Sequence, residues 1–243
     1  SNQAAAEESA KPQRAILCWT GDPAHSQTAV WRTQDKVETP QGQIAPWSAD
    51  PAFAENAFSI AASCEKTSLG DGSAAFHYQV DFENLTPGTA YAWRVGDGTN
   101  WSPWSRLRTA EANPAPFRFL YIGDAQNDVA SHWSRAIRAA FAHAPDARFA
   151  LHAGDLVNDG PVDALWGEWH EALGFIAASM PHVATPGNHE MDDAETDERL
   201  TPLWRPQFAF PLNGPEGVEE LKETAYYFDY QGVRFVSFDS NHG

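Results

Sequence analysis

Phe117-Arg118-Phe119-Leu120-Tyr121-Ile122-Gly123-Asp124 is the stretch that decides the fold. A short, nearly continuous apolar run reads as a strand covered on both faces. It stops on glycine, which lets a chain turn sharply off a strand end, and then on a carboxylate. The same order returns twice. Residues 149–153 form a second apolar strand followed by Gly154-Asp155, and residues 182–185 a third, followed by Gly187-Asn188-His189-Glu190. Between them the period changes to that of helices. Trp133, Ile137, Ala140 and Phe141 share one face of a helix over 129–143, and Leu165, Trp169, Leu173 and Ile176 one face of a helix over 162–178. Residues 233–238 read as a fourth strand. Strands alternating with helices imply right-handed crossovers and an α/β layered sheet. Ligands of such sheets bind beyond the carboxyl ends of the strands, where Asp124, Asp155 and Asn188 would meet. One Gly-Asp means little, because turns use that pair constantly. Three such strand ends in succession point to a metal site of oxygen donors.

Upstream, residues 15–110 read as all-β: short apolar or alternating runs separated by Gly, Pro, Asp and Asn clusters. Leu85-Thr86-Pro87-Gly88-Thr89-Ala90-Tyr91 places a tyrosine at a strand start behind a tight turn. That is the setting of a tyrosine corner, in which the hydroxyl bonds back to the turn backbone of a β-sandwich. Residues 111–116, with two prolines, form an extended linker. Residues 1–14 are expected to be a disordered tail and residues 117–243 the N-terminal half of the α/β domain.

Net charge is −17 with only 16 Lys plus Arg. That excludes a duplex nucleic-acid partner, which needs a basic face to replace counterions. It also means that bound cations would have to reverse the local field before an anionic substrate could approach. No stretch approaches the ~20 apolar residues of a membrane span. The first residues lack the basic and apolar regions of a signal peptide and read as a mature N-terminus, compatible with export. Cys18 and Cys64 are either one disulfide or two buried thiols.

The segments Gly-Asp-Ala-Gln, Gly-Asp-Leu-Val-Asn-Asp-Gly and Gly-Asn-His-Glu resemble the first three motifs of the calcineurin-like metallophosphoesterases. The preceding sandwich resembles a fibronectin type III domain, which makes the purple acid phosphatase branch the nearest likeness. That resemblance implies metal-dependent hydrolysis of a small phosphate ester by a binuclear centre. By it, Asp124 would bind the first metal, Asp155 would bridge both, and Asn188 would bind the second through its amide oxygen. His189 would contact the phosphate and protonate the leaving oxygen, and Glu190 would orient that imidazole.

Two positions depart from the family. Asn158 stands where purple acid phosphatases carry the tyrosine that binds ferric iron. Gln126 stands where most other branches carry a histidine, and it offers either an amide oxygen or only a hydrogen bond. These changes shift the expected ions, two divalent or one trivalent with one divalent, away from obligatory iron toward manganese, zinc, magnesium or calcium. They also leave open a second reading, a non-catalytic binding or adhesion protein with a degenerate hydrolase domain. The stretch between Met191 and Thr224, with Trp204, Arg205, Phe208 and Phe210, is expected to wall the site, Arg205 being a candidate phosphate contact. His132, His143 and His170 are expected to be solvated on helices, His25 and His77 to belong to the sandwich, and His182 to open its strand. His152 either reaches the site edge or packs within its strand, and His242 is too near the end to read. The family's later histidine motifs, the last Gly-His-x-His, do not follow Gly187. A complementary C-terminal segment or chain is therefore expected to complete the site.

Overall fold

The computed structural model describes residues 7–192 and 199–241. Eight strands build the N-terminal sandwich: β1 (Gln13–Cys18), β2 (Gln27–Thr33), β3 (Gln41–Pro46), β4 (Phe58–Ala61), β5 (Ser63–Ser68), β6 (Ala74–Phe82), β7 (Ala90–Gly96) and β8 (Ser105–Arg108). They form two antiparallel sheets, in the orders β1-β2-β6-β5 and β4-β3-β7-β8. Alternate residues from both sheets fill the space between them, with Trp31, Tyr78, Val80, Ile44, Trp93 and Leu107 all buried. Burying each such side chain is worth roughly 1.5–3 kcal/mol. The tyrosine corner is present: the Thr86 N–H donates to Tyr91 Oη at 2.9 Å.

Order begins earlier than expected. Residues 7–9 are helical, and Arg14 in β1 is ion-paired. The expectation of disorder for residues 1–6 lies outside the described residues, as does His242. Both cysteine readings fail. Cys18 is buried and Cys64 exposed, both are free, and they lie on the two outer strands of one sheet.

In the second domain, β9 (Leu120–Ile122), β10 (Ala150–Ala153) and β11 (His182–Thr185) pair in parallel in the order β11-β10-β9. The first crossover starts as a single π-helical turn, Val129–Trp133, and continues as α1 (Ser134–His143). The second is not one helix over 162–178. It is α2 (Asp163–Leu173) and α3 (Ile176–Ser179), divided at Gly174, whose φ of +56° ends the first helix. Trp133 and Trp169 stack at 5.8 Å behind the sheet, with His152 and Phe208 against Trp169.

The α/β layered arrangement is present, and the fourth strand stands apart from its parallel sheet. After a short antiparallel pair, β12 (Met191–Asp192) with β13 (Arg199–Leu200), strand β14 (Tyr226–Tyr230) pairs antiparallel with β15 (Val233–Ser237), and this hairpin is separate from the parallel sheet. Its aromatic face packs on the other side, where Phe149 meets Phe228, Tyr230 and Phe235 at 5.2–5.6 Å, and Trp19 of the sandwich joins them. Tyr226 Oη donates to the Ala184 carbonyl at 2.8 Å, which fixes the hairpin to β11. The 117–122 segment is likewise not covered on both faces. Tyr121 is 69% exposed and Phe119 39%, and Val236 and Phe238 are exposed as well.

The two domains share a core, and polar contacts lock it. Arg14 and Arg32 of the sandwich both pair with Asp163 at the start of α2, at 2.7 and 2.9 Å. Burial alone would push the Asp163 carboxyl up, but the two guanidinium groups outweigh it and hold it below its ordinary range. Trp93 Nε1 donates to the Ala178 carbonyl at 3.0 Å.

Candidate metal centre

Parallel pairing brings the carboxyl ends of β9, β10 and β11 side by side, and the loops beyond them are tied together through backbone. The Asp124 N–H donates to the Gly154 carbonyl and the Gln126 N–H to the Asp155 carbonyl, both at 3.0 Å. Asp124 and Asp155 hold φ values of +59° and +53°, a left-handed conformation uncommon for residues with a side chain. Such strain persists where surrounding contacts over-determine it, and it gathers at functional sites.

Those contacts are visible around Asp155. The His189 N–H donates to Asp155 Oδ1 at 3.1 Å. Gln126 Nε2 donates to Asp124 Oδ1 at 2.9 Å and to Asp155 Oδ2 at 3.3 Å, so one amide joins the first two carboxylates. Gly187 has no room for a side chain. A Cβ there would overlap the Asp155 carboxylate and lie 2.6 Å from the Asp155 nitrogen. Asn188 opens the single 3-10 turn Asn188–Glu190 and is exposed.

Glu190 is fully buried, and its carboxylate faces only backbone donors. Oε2 accepts from Asp155 N at 2.9 Å and Gly187 N at 2.7 Å, and Oε1 from Leu156 N at 2.7 Å and Val157 N at 3.2 Å. Burial pushes its pKa up, and the four N–H groups oppose that. Four bonds use the capacity of a carboxylate, so Glu190 does not orient the imidazole as expected. His189 is held instead by the Asn158 backbone carbonyl, 2.8 Å from its Nδ1.

The donors fit a hard cation. Asp124 and Asp155 offer carboxylates and Asn188 an amide oxygen, while Gln126 Oε1 is buried with no hydrogen-bond partner. An all-oxygen set of this kind suits calcium, magnesium or manganese better than zinc. Among the described residues, no three His, Cys, Asp or Glu side chains are gathered as a ready cluster.

Other expected site residues lie elsewhere. Trp204, Phe208 and Phe210 pack in the core against Trp166 and Tyr226 rather than walling the site. Arg205 Nη2 donates to the Glu219 and Lys222 carbonyls at 2.9 and 3.4 Å. His170 is buried with Nε2 on Gln207 at 3.1 Å, whereas His132 and His143 are exposed as expected. His152 packs within its strand, its Nε2 2.9 Å from His182 Nδ1. Residues beyond β15 approach the site unannounced. Asn241 Nδ2 donates to the Pro186 carbonyl at 3.4 Å, and buried Asp239 accepts from Asn241. Another carboxylate after an apolar strand was the available signal.

Comparison with known families is decisive. The calcineurin-like phosphoesterase model matches residues 117–241, the segment that carries all three strand-end motifs. The chain belongs to the calcineurin-like phosphoesterase family. The model of the purple acid phosphatase N-terminal domain matches residues 12–109, the sandwich. Human acid phosphatase type 7 is 27% identical over 248 residues, covering 94% of this chain and 52% of that protein. Among solved structures, the purple acid phosphatase PPD1 from yellow lupin superposes with a TM-score of 0.76 at 16% identity, over 93% of this chain and 44% of its own. PhoD superposes at 0.67 and 14% identity, over 96% of this chain and 52% of its own. The chain thus spans about half the length of these relatives. Among the described residues no helix is long and apolar enough to cross a membrane.

Proposed function

We propose that the whole protein hydrolyses phosphate esters at a binuclear metal centre, half of which is supplied by this chain. The observation that carries the reading is the meeting of the first two motif loops at one amide, with Asp124 and Asp155 sharing Gln126 and Asp155 bonded to the motif-three backbone. Asp124 would hold one ion, Asp155 both and Asn188 the other, with Gln126 Oε1 a further oxygen donor. Bound ions would supply a hydroxide nucleophile and neutralise charge on the phosphoryl oxygens. His189 protonates the leaving oxygen, with its proton at Nε2 because Nδ1 faces the Asn158 carbonyl. Glycine at 187 and the buried Glu190 keep the Asp155 carboxylate in place.

The remaining parts of the proposal rest on family likeness. A complementary C-terminal segment or chain would bring the missing ligands and cover the apolar face of Phe119, Tyr121, Val236 and Phe238. The sandwich, with its tyrosine corner, is read as fibronectin type III-like, and the mature protein as exported.

A second reading is favoured by one observation. The Gln126 amide donates to both carboxylates, as it would in a degenerate binding protein that needs no metal. Turnover of a chromogenic phosphate ester by the whole protein, with and without added Mn²⁺, separates the two. Metal-stimulated turnover supports the hydrolase, and its absence with every metal tried supports the binding protein.

A further inference from the structure

We infer that Glu190 is the positioning residue of the centre: a buried carboxylate clamp that sets the Asp155 loop against Gly187 and thereby aims the Asp155 side chain. All four of its partners are backbone N–H donors, at Asp155, Leu156, Val157 and Gly187, within 2.7–3.2 Å. Three of them belong to the turn after β10 and one to the β11 loop, so a single side chain fastens two separate motifs. The clamp bonds the nitrogen of a residue held in the left-handed region, since Asp155 sits at φ +53°. Its own backbone extends the tie, because the Thr201 N–H donates to the Glu190 carbonyl at 2.9 Å and joins the segment beyond.

The requirement is for acceptors rather than for shape. A carboxylate presents acceptors at both oxygens. Glutamine has the same outline but one oxygen only, and its NH₂ would face two N–H groups whichever way the amide turned. Either Asp155 and Gly187 or Leu156 and Val157 would then lose their partner. Groups that orient metal ligands from behind typically contribute ~10–100-fold in metal affinity.

This inference rests on the metal-hydrolase reading for its functional half and on geometry alone for its structural half. The test compares the whole protein with Glu190→Gln by calorimetric titration with Mn²⁺ and by amide hydrogen exchange. We expect ~10–100-fold weaker Mn²⁺ binding, faster exchange at residues 155–157 and 187, and a kcat that falls while KM for a phosphate ester holds. A folded variant with native Mn²⁺ affinity and native exchange at those amides would overturn the inference, even with a lowered Tm. Should Glu190→Gln fail to fold, Glu190→Asp carries the same readouts. It keeps both acceptors one methylene short, and unchanged affinity and exchange in it would also overturn the inference. If the native protein binds no Mn²⁺ at all, the metal reading fails, and exchange at the four amides alone decides the role of Glu190.

Discussion

His189 Nδ1 lies 2.8 Å from the backbone carbonyl of Asn158. A carbonyl only accepts, so Nδ1 carries the hydrogen, and proton exchange with a substrate is left to Nε2. His189→Ala should therefore keep its metal and lose ~10²–10⁴-fold in rate for esters with poor leaving groups. Activated esters should lose much less, and a leaving-group series measures the difference. Asn158→Ala keeps the carbonyl and should retain near-native rates.

Gly187 is the tightest point of the site, because a methyl group there would overlap the Asp155 carboxylate. Gly187→Ala should leave the far-UV circular dichroism native while weakening Mn²⁺ binding at least tenfold. Calorimetric titration reads this directly.

Buried histidines make the fold sensitive to acid. Burial lowers the His182 pKa to about 4, and burial with the nearby Arg32 and Arg14 charges lowers His77 to about 3. His152 and His170 are lowered as well, burial again being the main cause. The unfolded chain, with ordinary histidines near 6.5, binds more protons than the folded one below that pH. Stability is therefore present above pH ~6.5 and is lost as pH falls toward 4, by about 2 kcal/mol for His182 between pH 7 and 5. Urea unfolding midpoints at the two pH values check the sign.

By the family likeness Asn158 would stand where the purple branch carries its tyrosine, and it is exposed. Iron-loaded protein should therefore lack a visible tyrosinate-to-iron absorption. A purple preparation would mean that a different tyrosine reaches the metal.

The parts legible in the sequence were those written in local pattern. The Gly-Asp strand ends, the helix faces of Trp133 and Trp169, and the turn before Tyr91 each follow from a few consecutive residues. What failed depended on distant partners. Nothing near Trp204 or Phe208 shows that they face Trp166 and Trp169 rather than the site. Only one arm of the β14–β15 hairpin is legible, because Tyr226–Tyr230 directly follows the stretch ending at Thr224, whose Gly, Pro and acidic content reads as loop. Glu190 invites a role beside its neighbour His189, yet the 3-10 turn points it away, into three amides of the loop after β10 and that of Gly187.

The central claim is that Asp155 ties two metal ions to one carboxylate. Calorimetric titration of the whole protein and of Asp155→Ala with Mn²⁺, with ester turnover followed on the same samples, tests it most directly. The native protein should bind two ions, and the variant should lose most bound metal and essentially all hydrolysis. An Asp155→Ala protein that keeps two ions and native turnover would contradict it.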